Sequence, residues 1–312
     1  MSSNAKLLFA LFLSLITVGR AVSFGAALSV SNDRRRRPQP PAARSVPAPV
    51  SFREVPGRGL IVRTWINSFG PYDFAVDTGA GATLLSQRVA DEARVTTKGG
   101  RTSIAGLSGV STAARGAALQ SLAIGDRENY LPAKGETMII NGLPRDLDGV
   151  LDPTEAFSPL GYVVDLPQGE LSAFDPRTDP IRINQQPDEG TVVRWLHDAT
   201  SRRPFVMLDN GDRALLDTGS MMGLAIRDKD ASDRKPPANS VRDVGGGQIS
   251  SRRVAATTIS VGSLTLRRIP TDLVSGAEAD APVLLGLSAL RPFRLRFDPL
   301  HRLIEIAPGN RQ

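Results

Sequence analysis

Two acids occupy positions where an acid needs a reason. Asp77 follows the apolar residues of FAVDTGAGATLLS, and Asp217 follows those of ALLDTGSMMGLAI, 140 residues later. A carboxylate is costly to bury unless its charge is paired or used. Two such groups brought within about 3 Å cannot both ionise cheaply, so one pKa falls, the other rises, and the pair holds a single proton. Such a dyad contains an acid and a base at once. It can activate a water against an amide carbonyl while protonating the carbonyl oxygen, with neither a metal nor a covalent nucleophile. That chemistry suits a chain with no cysteine and two histidines, His197 and His301, far apart in sequence. Disulfides and thiol chemistry are excluded. The histidines argue against a zinc site, and no G-x-S-x-G marks a serine hydrolase.

The flanking residues have assignable tasks. Gly79 and Gly219 let the backbone turn and carry amide N–H groups to the carboxylates, while Thr78 and Thr218 can hydrogen-bond across a symmetric interface and hold two loops level. Val76 and Leu216 anchor the loops in apolar cores. One position on, Ala80 stands against Ser220. A hydroxyl donating to a carboxylate favours its charged form, so the two acids are expected to be inequivalent.

The elements that carry the acids repeat. LIVRTWIN and YDFAVDTG are β-rich runs with SFGP between them, and FVML and RALLDTG flank an Asn-Gly turn at Asn210 and Gly211. Gly125 answers Gly262 at an offset of 137, Asp152 answers Gly286 at 134, and Asp165 answers Asp298 at 133, in the same order as the acids. This is the pattern of an internal duplication. The reading is all-β, with two pseudo-symmetric lobes at 50–178 and 179–312 meeting at the turn-rich DPRTDPIRINQQPDEG. A short helix is expected in LSALRPF, ended by Pro292, and one or two helical turns in VVRWLHDA. Gly 29 and Pro 23 among 312 residues, with only 5% aromatics, fit many short strands.

The net charge of +6 is local. Residues 1–49 hold seven basic residues against Asp33 alone, and the body from Val50 onward has 31 basic and 31 acidic residues. The body offers no general field to a polyanion, which argues against nucleic-acid binding. Lys6 followed by the 13-residue run LLFALFLSLITVG fits a secretory signal or an N-terminal anchor over 1–27, and the Pro- and Arg-rich stretch 28–49 fits a linker. The expectation is an exported protein, periplasmic or secreted, with membrane-surface association possible through this segment.

Hydrophobic-hydrophobic-Asp-Thr-Gly in each half, with a later apolar pair and glycine, resembles the aspartic proteases. DTGAGATLLS is especially similar to the retropepsin-like pattern, and the resemblance spans roughly 50–308. It implies an acid-protease-like fold with the active site between two lobes of one chain, acting as a monomeric intrachain pseudo-dimer on a polypeptide, without cofactor or metal. Asp77 and Asp217 become the catalytic dyad, supported by Thr78, Gly79, Ala80, Thr218, Gly219 and Ser220. Substrate-covering flaps would correspond to Ala105, Gly106, Leu107, Ser108 and Gly109, and to Gly245, Gly246 and Gly247. Two departures stand out. No tyrosine lies in either flap, and Asp152 occupies the first lobe's glycine position. Asp152 reads as a solvated turn acid, with perturbation of the dyad as the alternative. The pH optimum is expected to be less acidic than pepsin's. Three readings follow: an aspartic endopeptidase, a peptide-binding or sensing module that kept the fold without turnover, and a sandwich in which both triplets are plain turns.

Overall fold

The computed structural model describes residues 46–133, 135–144, 146–196, 202–229 and 240–309. The expected targeting segment, most of the linker and His197 lie outside them. The described residues are all-β in three sheets, with three short helices, Gln87–Glu92, Pro153–Ala156 and Leu287–Leu290.

A nine-stranded sheet takes its strands from residues 53–151, and a seven-stranded sheet takes its from 205–286. The same pairing scheme occurs in both. Phe69–Val76, the strand leading to Asp77, lies parallel to Gly149–Leu151, which pairs antiparallel with Thr83–Ser86; that strand is parallel to Thr137–Ile140. In the second half Arg213–Asp217 lies parallel to Val283–Gly286, which pairs antiparallel with Leu224–Arg227, itself parallel to Leu264–Ser275. Asp77 follows its strand and Asp217 ends its own, and the apolar residues before each, Phe74 to Val76 and Ala214 to Leu216, are buried on both faces of the sheet.

The third sheet joins the halves. Its order is Val50–Ser51, Glu170–Phe174, Gly161–Asp165, Phe293–Asp298, Leu303–Pro308 and Thr191–Arg194. The closing hairpin of each half thus pairs with that of the other through Gly161–Asp165 and Phe293–Asp298. Tyr162 stacks on Phe297 at 4.6 Å between ring centroids, and Trp195 meets Phe297 edge-on at 5.9 Å. The main apolar core runs through these rings from one half to the other.

Two local expectations need correction. The turn between the first paired strands is not SFGP but Asn67 and Ser68, both at positive φ (51° and 68°), with Phe69 to Pro71 already in the next strand. Two left-handed residues give the twist that joins antiparallel strands tightly. VVRWLHDA supplies a strand, Thr191–Arg194, rather than helical turns, because its backbone pairs with Leu303–Pro308; residues 197–199 lie outside the described set. The helix in LSALRPF is present, Leu287–Leu290, two residues before Pro292.

Candidate active site

The two Asp-Thr-Gly loops meet and are bonded reciprocally. The Thr78 N–H donates to Thr218 Oγ1 and the Thr218 N–H to Thr78 Oγ1, both at 3.1 Å. Each hydroxyl then donates back across the interface, Thr78 to the Leu216 carbonyl (2.6 Å) and Thr218 to the Val76 carbonyl (2.9 Å). Both threonines are buried, so these four bonds satisfy groups that would otherwise be orphaned away from water. They fix the loops at equal height, which places Asp77 and Asp217 side by side.

Both carboxylates are fully buried. One oxygen of each is held within its own loop: Gly79 N–H donates to Asp77 Oδ1 (2.8 Å) and Gly219 N–H to Asp217 Oδ1 (2.9 Å). Among the described residues, no donor from outside the pair reaches either Oδ2. The glycines are required by close approach. A Cβ on Gly79 would lie 2.9 Å from Asp217 Cγ, and one on Gly219 would overlap the Asp77 carboxylate. Burial pushes both acids up, and the neighbouring Asp217 carboxylate pushes Asp77 further. Asp217 rises less because the hydrogen bond with Asp77, the Gly219 and Ser220 amides and the Arg203 guanidinium favour its charge. The two carboxyls therefore sit in inequivalent surroundings, and burial disfavours charge on both.

The cause of that inequivalence differs from the one expected. The Ser220 hydroxyl accepts the Met222 N–H (3.3 Å), and it is the Ser220 backbone amide that acts on Asp217. Ala80 is buried beside Asp77 and packs in an apolar cluster with Ala82, Leu84 and Val150.

Asp152 is not a solvated turn acid. It is 2% exposed, and its Oδ1 accepts the Thr154 N–H (2.9 Å) as the N-cap of Pro153–Ala156. The Asp-Pro pair starts that helix, where a carboxylate cap and a proline at the first position are both favourable. Burial and the Glu155 charge push its carboxyl up to about 7, against the Thr154 and Glu155 amides and Arg203. Sequence reasoning also passed over Arg203. It is 2% exposed, its carbonyl accepts the Trp195 indole N–H (2.9 Å), and its guanidinium lies 5.4 Å from the Phe205 ring centroid. His301 is held by Asp298 (2.8 Å) in a turn of the closing hairpin, away from both loops in sequence and sheet.

The expected flap residues form two hairpin tips that interlock. Ala105 ends the strand Thr96–Ala105, and Gly106 to Gly109 make the tip before Ser111–Ala118. Gly245, Gly246 and Gly247 close the turn between Ser240–Arg242 and Gln248–Val261. The Asp243 carboxylate accepts the Ser108 N–H through Oδ2 (2.8 Å) and the Gly247 N–H through Oδ1 (3.0 Å). Leu107 is buried in a second-half cluster with Leu215, Met222 and Leu284, and Val244 in a first-half cluster with Ala80, Ala82 and Ile104. Among the described residues, no group of three acid or histidine side chains is arranged to hold a metal ion.

Residues 62–134 match the family model described as gag-polyprotein putative aspartyl protease. That stretch holds Asp77, its loop and the first hairpin tip, so this part of the chain is similar to the retropepsin-like aspartic proteases. No curated protein matches the chain.

Proposed function

We propose that the chain is an aspartic endopeptidase in which Asp77 and Asp217 jointly activate a water for hydrolysis of a peptide bond. The observation that carries the reading is the buried meeting of two Asp-Thr-Gly loops, locked by reciprocal threonine bonds, with no donor from outside the pair on either Oδ2 among the described residues. The Asp217 carboxylate takes a proton from the water as its oxygen bonds to the scissile carbonyl carbon, and Asp77 gives its proton to the carbonyl oxygen. Collapse of the resulting gem-diol breaks the C–N bond as the nitrogen takes the proton now on Asp217 and a gem-diol hydroxyl gives its proton to Asp77, which returns the dyad to its starting state. The tips at Gly106–Gly109 and Gly245–Gly247 act as flaps over an extended polypeptide lying between two lobes, divided near residue 178. One chain supplies both loops, so a monomer suffices. Lys6 and the apolar run after it support export as the setting.

The test is digestion of a denatured protein or a peptide library by the purified chain across roughly pH 3 to 8, with Asp77→Asn and Asp217→Asn as controls and pepstatin as a probe. Cleavage by the parent, abolished in either variant, is the expected result. Equal cleavage by parent and variants removes the mechanism. The interlocked tips favour a second reading, a peptide-binding module without turnover; peptide binding with no cleavage at any pH selects it.

A further inference from the structure

The two halves treat the position behind the acid differently. In the second half Gly286 pairs directly with Asp217 in the parallel ladder and begins Leu287–Leu290. A side chain is excluded there, since a Cβ on Gly286 would lie 2.6 Å from the carbonyls of both Ser220 and Met222. In the first half the corresponding residue is Asp152. It follows Leu151, whose carbonyl accepts the Asp77 N–H (3.0 Å), and its own N–H donates to Thr83 Oγ1 (3.2 Å). Its ψ of 106°, against −172° at Gly286, turns the chain differently into the next helix, and Ala80 stands where the second half has Ser220. A third buried carboxyl, Asp152, thus stands one residue past Leu151, the ladder partner of Val76, where the second half has glycine.

The groups facing that carboxyl come from every element around it. Asp77 lies on the adjacent loop and Glu155 on the helix that Asp152 caps. Tyr162, whose hydroxyl is 2.9 Å from Thr154 Oγ1, comes from the joining sheet, and Arg203 comes from the second half. Arg203 packs close to the first loop, since a Cβ on Gly81 would lie 3.7 Å from its Cδ. A buried anion beside Asp77 opposes a second negative charge there, and a buried guanidinium acting on both Asp152 and Asp217 favours charge at those two sites.

We propose that Asp152 is a positioning residue for the dyad: as the medium approaches neutrality its charge, supported by Arg203, keeps the shared proton on Asp77. It acts through Asp77 and touches no reacting atom. The inference rests on the dyad reading above, and it assigns the buried acid a task that Gly286 cannot share. Asp152 is itself protonated in acid, so its influence falls on the alkaline side alone: Asp77 retains its proton to higher pH than a lone buried pair would.

The test labels the full chain with aspartate carrying ¹³C at the carboxyl carbon and follows Asp77, assigned by its loss in Asp77→Asn, through a pH titration. Asp152→Asn keeps an acceptor for the Thr154 N–H, and Asp152→Ser is the second uncharged cap; thermal unfolding checks that each folds. In both, the Asp77 titration should move to lower pH by about one unit, a tenfold weaker hold on the proton. If the chain cleaves peptides, the alkaline limb of kcat/KM should move with it while the acid limb stays. In the parent, the Asp77 carbon should also show Asp152's own titration as a second inflection, a readout that needs no variant. An Asp77 carbon without that inflection, or an unmoved Asp77 titration in a folded variant, overturns the proposal. A shifted titration in a chain that cleaves nothing upholds the coupling while removing the protease reading.

Discussion

Thr78 and Thr218 each serve the opposite loop twice, as acceptor for an amide and as donor to a carbonyl. Replacing either with valine keeps the shape and leaves a buried N–H and a buried C=O unpaired. Each single variant should lose about 1–3 kcal/mol in urea denaturation, and the double variant less than the sum, since both changes remove the same network. Fully additive losses would mean that the loops are not coupled through these bonds. The acids and their threonines were legible in the sequence because the triplets repeat in matching contexts. Asp152 was legible only as an anomaly, since nothing in DGVLDP tells a capping carboxylate sealed under a helix from one in a solvated turn. Arg203 was not legible at all. It is one of two adjacent arginines, and its neighbour Arg202 lies half-exposed, 3.8 Å from Glu155. Which of the two turns inward depends on where Phe205 and Trp195 lie, and that is a matter of tertiary packing.

The hairpin tips show what spacing can and cannot say about an element. Glycine-rich runs marked both turns, and the structure gives the glycines a steric reason: a Cβ on Gly245 or Gly247 would collide with Val110 or Ser108 of the opposite tip, and one on Gly106 with Asp243. The reciprocal burial of Leu107 and Val244 was invisible, because it joins residues 137 positions apart. The same limit explains VVRWLHDA, where pairing with Leu303–Pro308 overrides a helical tendency that the local sequence carries. Asp243 carries a prediction at this scale. Its carboxylate joins the tips by accepting one amide from each. Asp243→Ala should leave the cores intact but free both amides, with exchange of the Ser108 N–H faster by about tenfold or more, the equivalent of one lost charged hydrogen bond. Exchange that stays at the parent rate would show that the buried Leu107 and Val244 alone hold the tips together.

At the scale of the molecule, the sharing of one sheet by the closing hairpins has no signature in the sequence, since strand pairing between distant segments leaves no local pattern. That sheet, the stacked rings across it and the exposed Glu54–Arg291 ion pair tie residues near both ends of the body into one structure. Unfolding in urea should therefore be a single transition, with intrinsic fluorescence and far-ultraviolet dichroism coincident. Its midpoint should carry the signature of the buried acids. Burial raises Asp77, Asp152 and Asp217 in the folded state, Asp152 to about 7, whereas the unfolded chain returns them to about 3.9. Between those values the folded chain binds more protons than the unfolded one, so their contribution to stability is complete below about pH 4 and is lost as pH rises through the folded values. For Asp152 the loss is on the order of a few kcal/mol, undiminished by solvent because the group is sealed. Asp152→Asn removes one such group without removing its capping oxygen. Its stability relative to the parent should rise between pH 4.5 and 7.5, when urea midpoints are compared at the two ends. Parallel curves for parent and variant would show that Asp152 titrates in the folded chain as it does in the unfolded one.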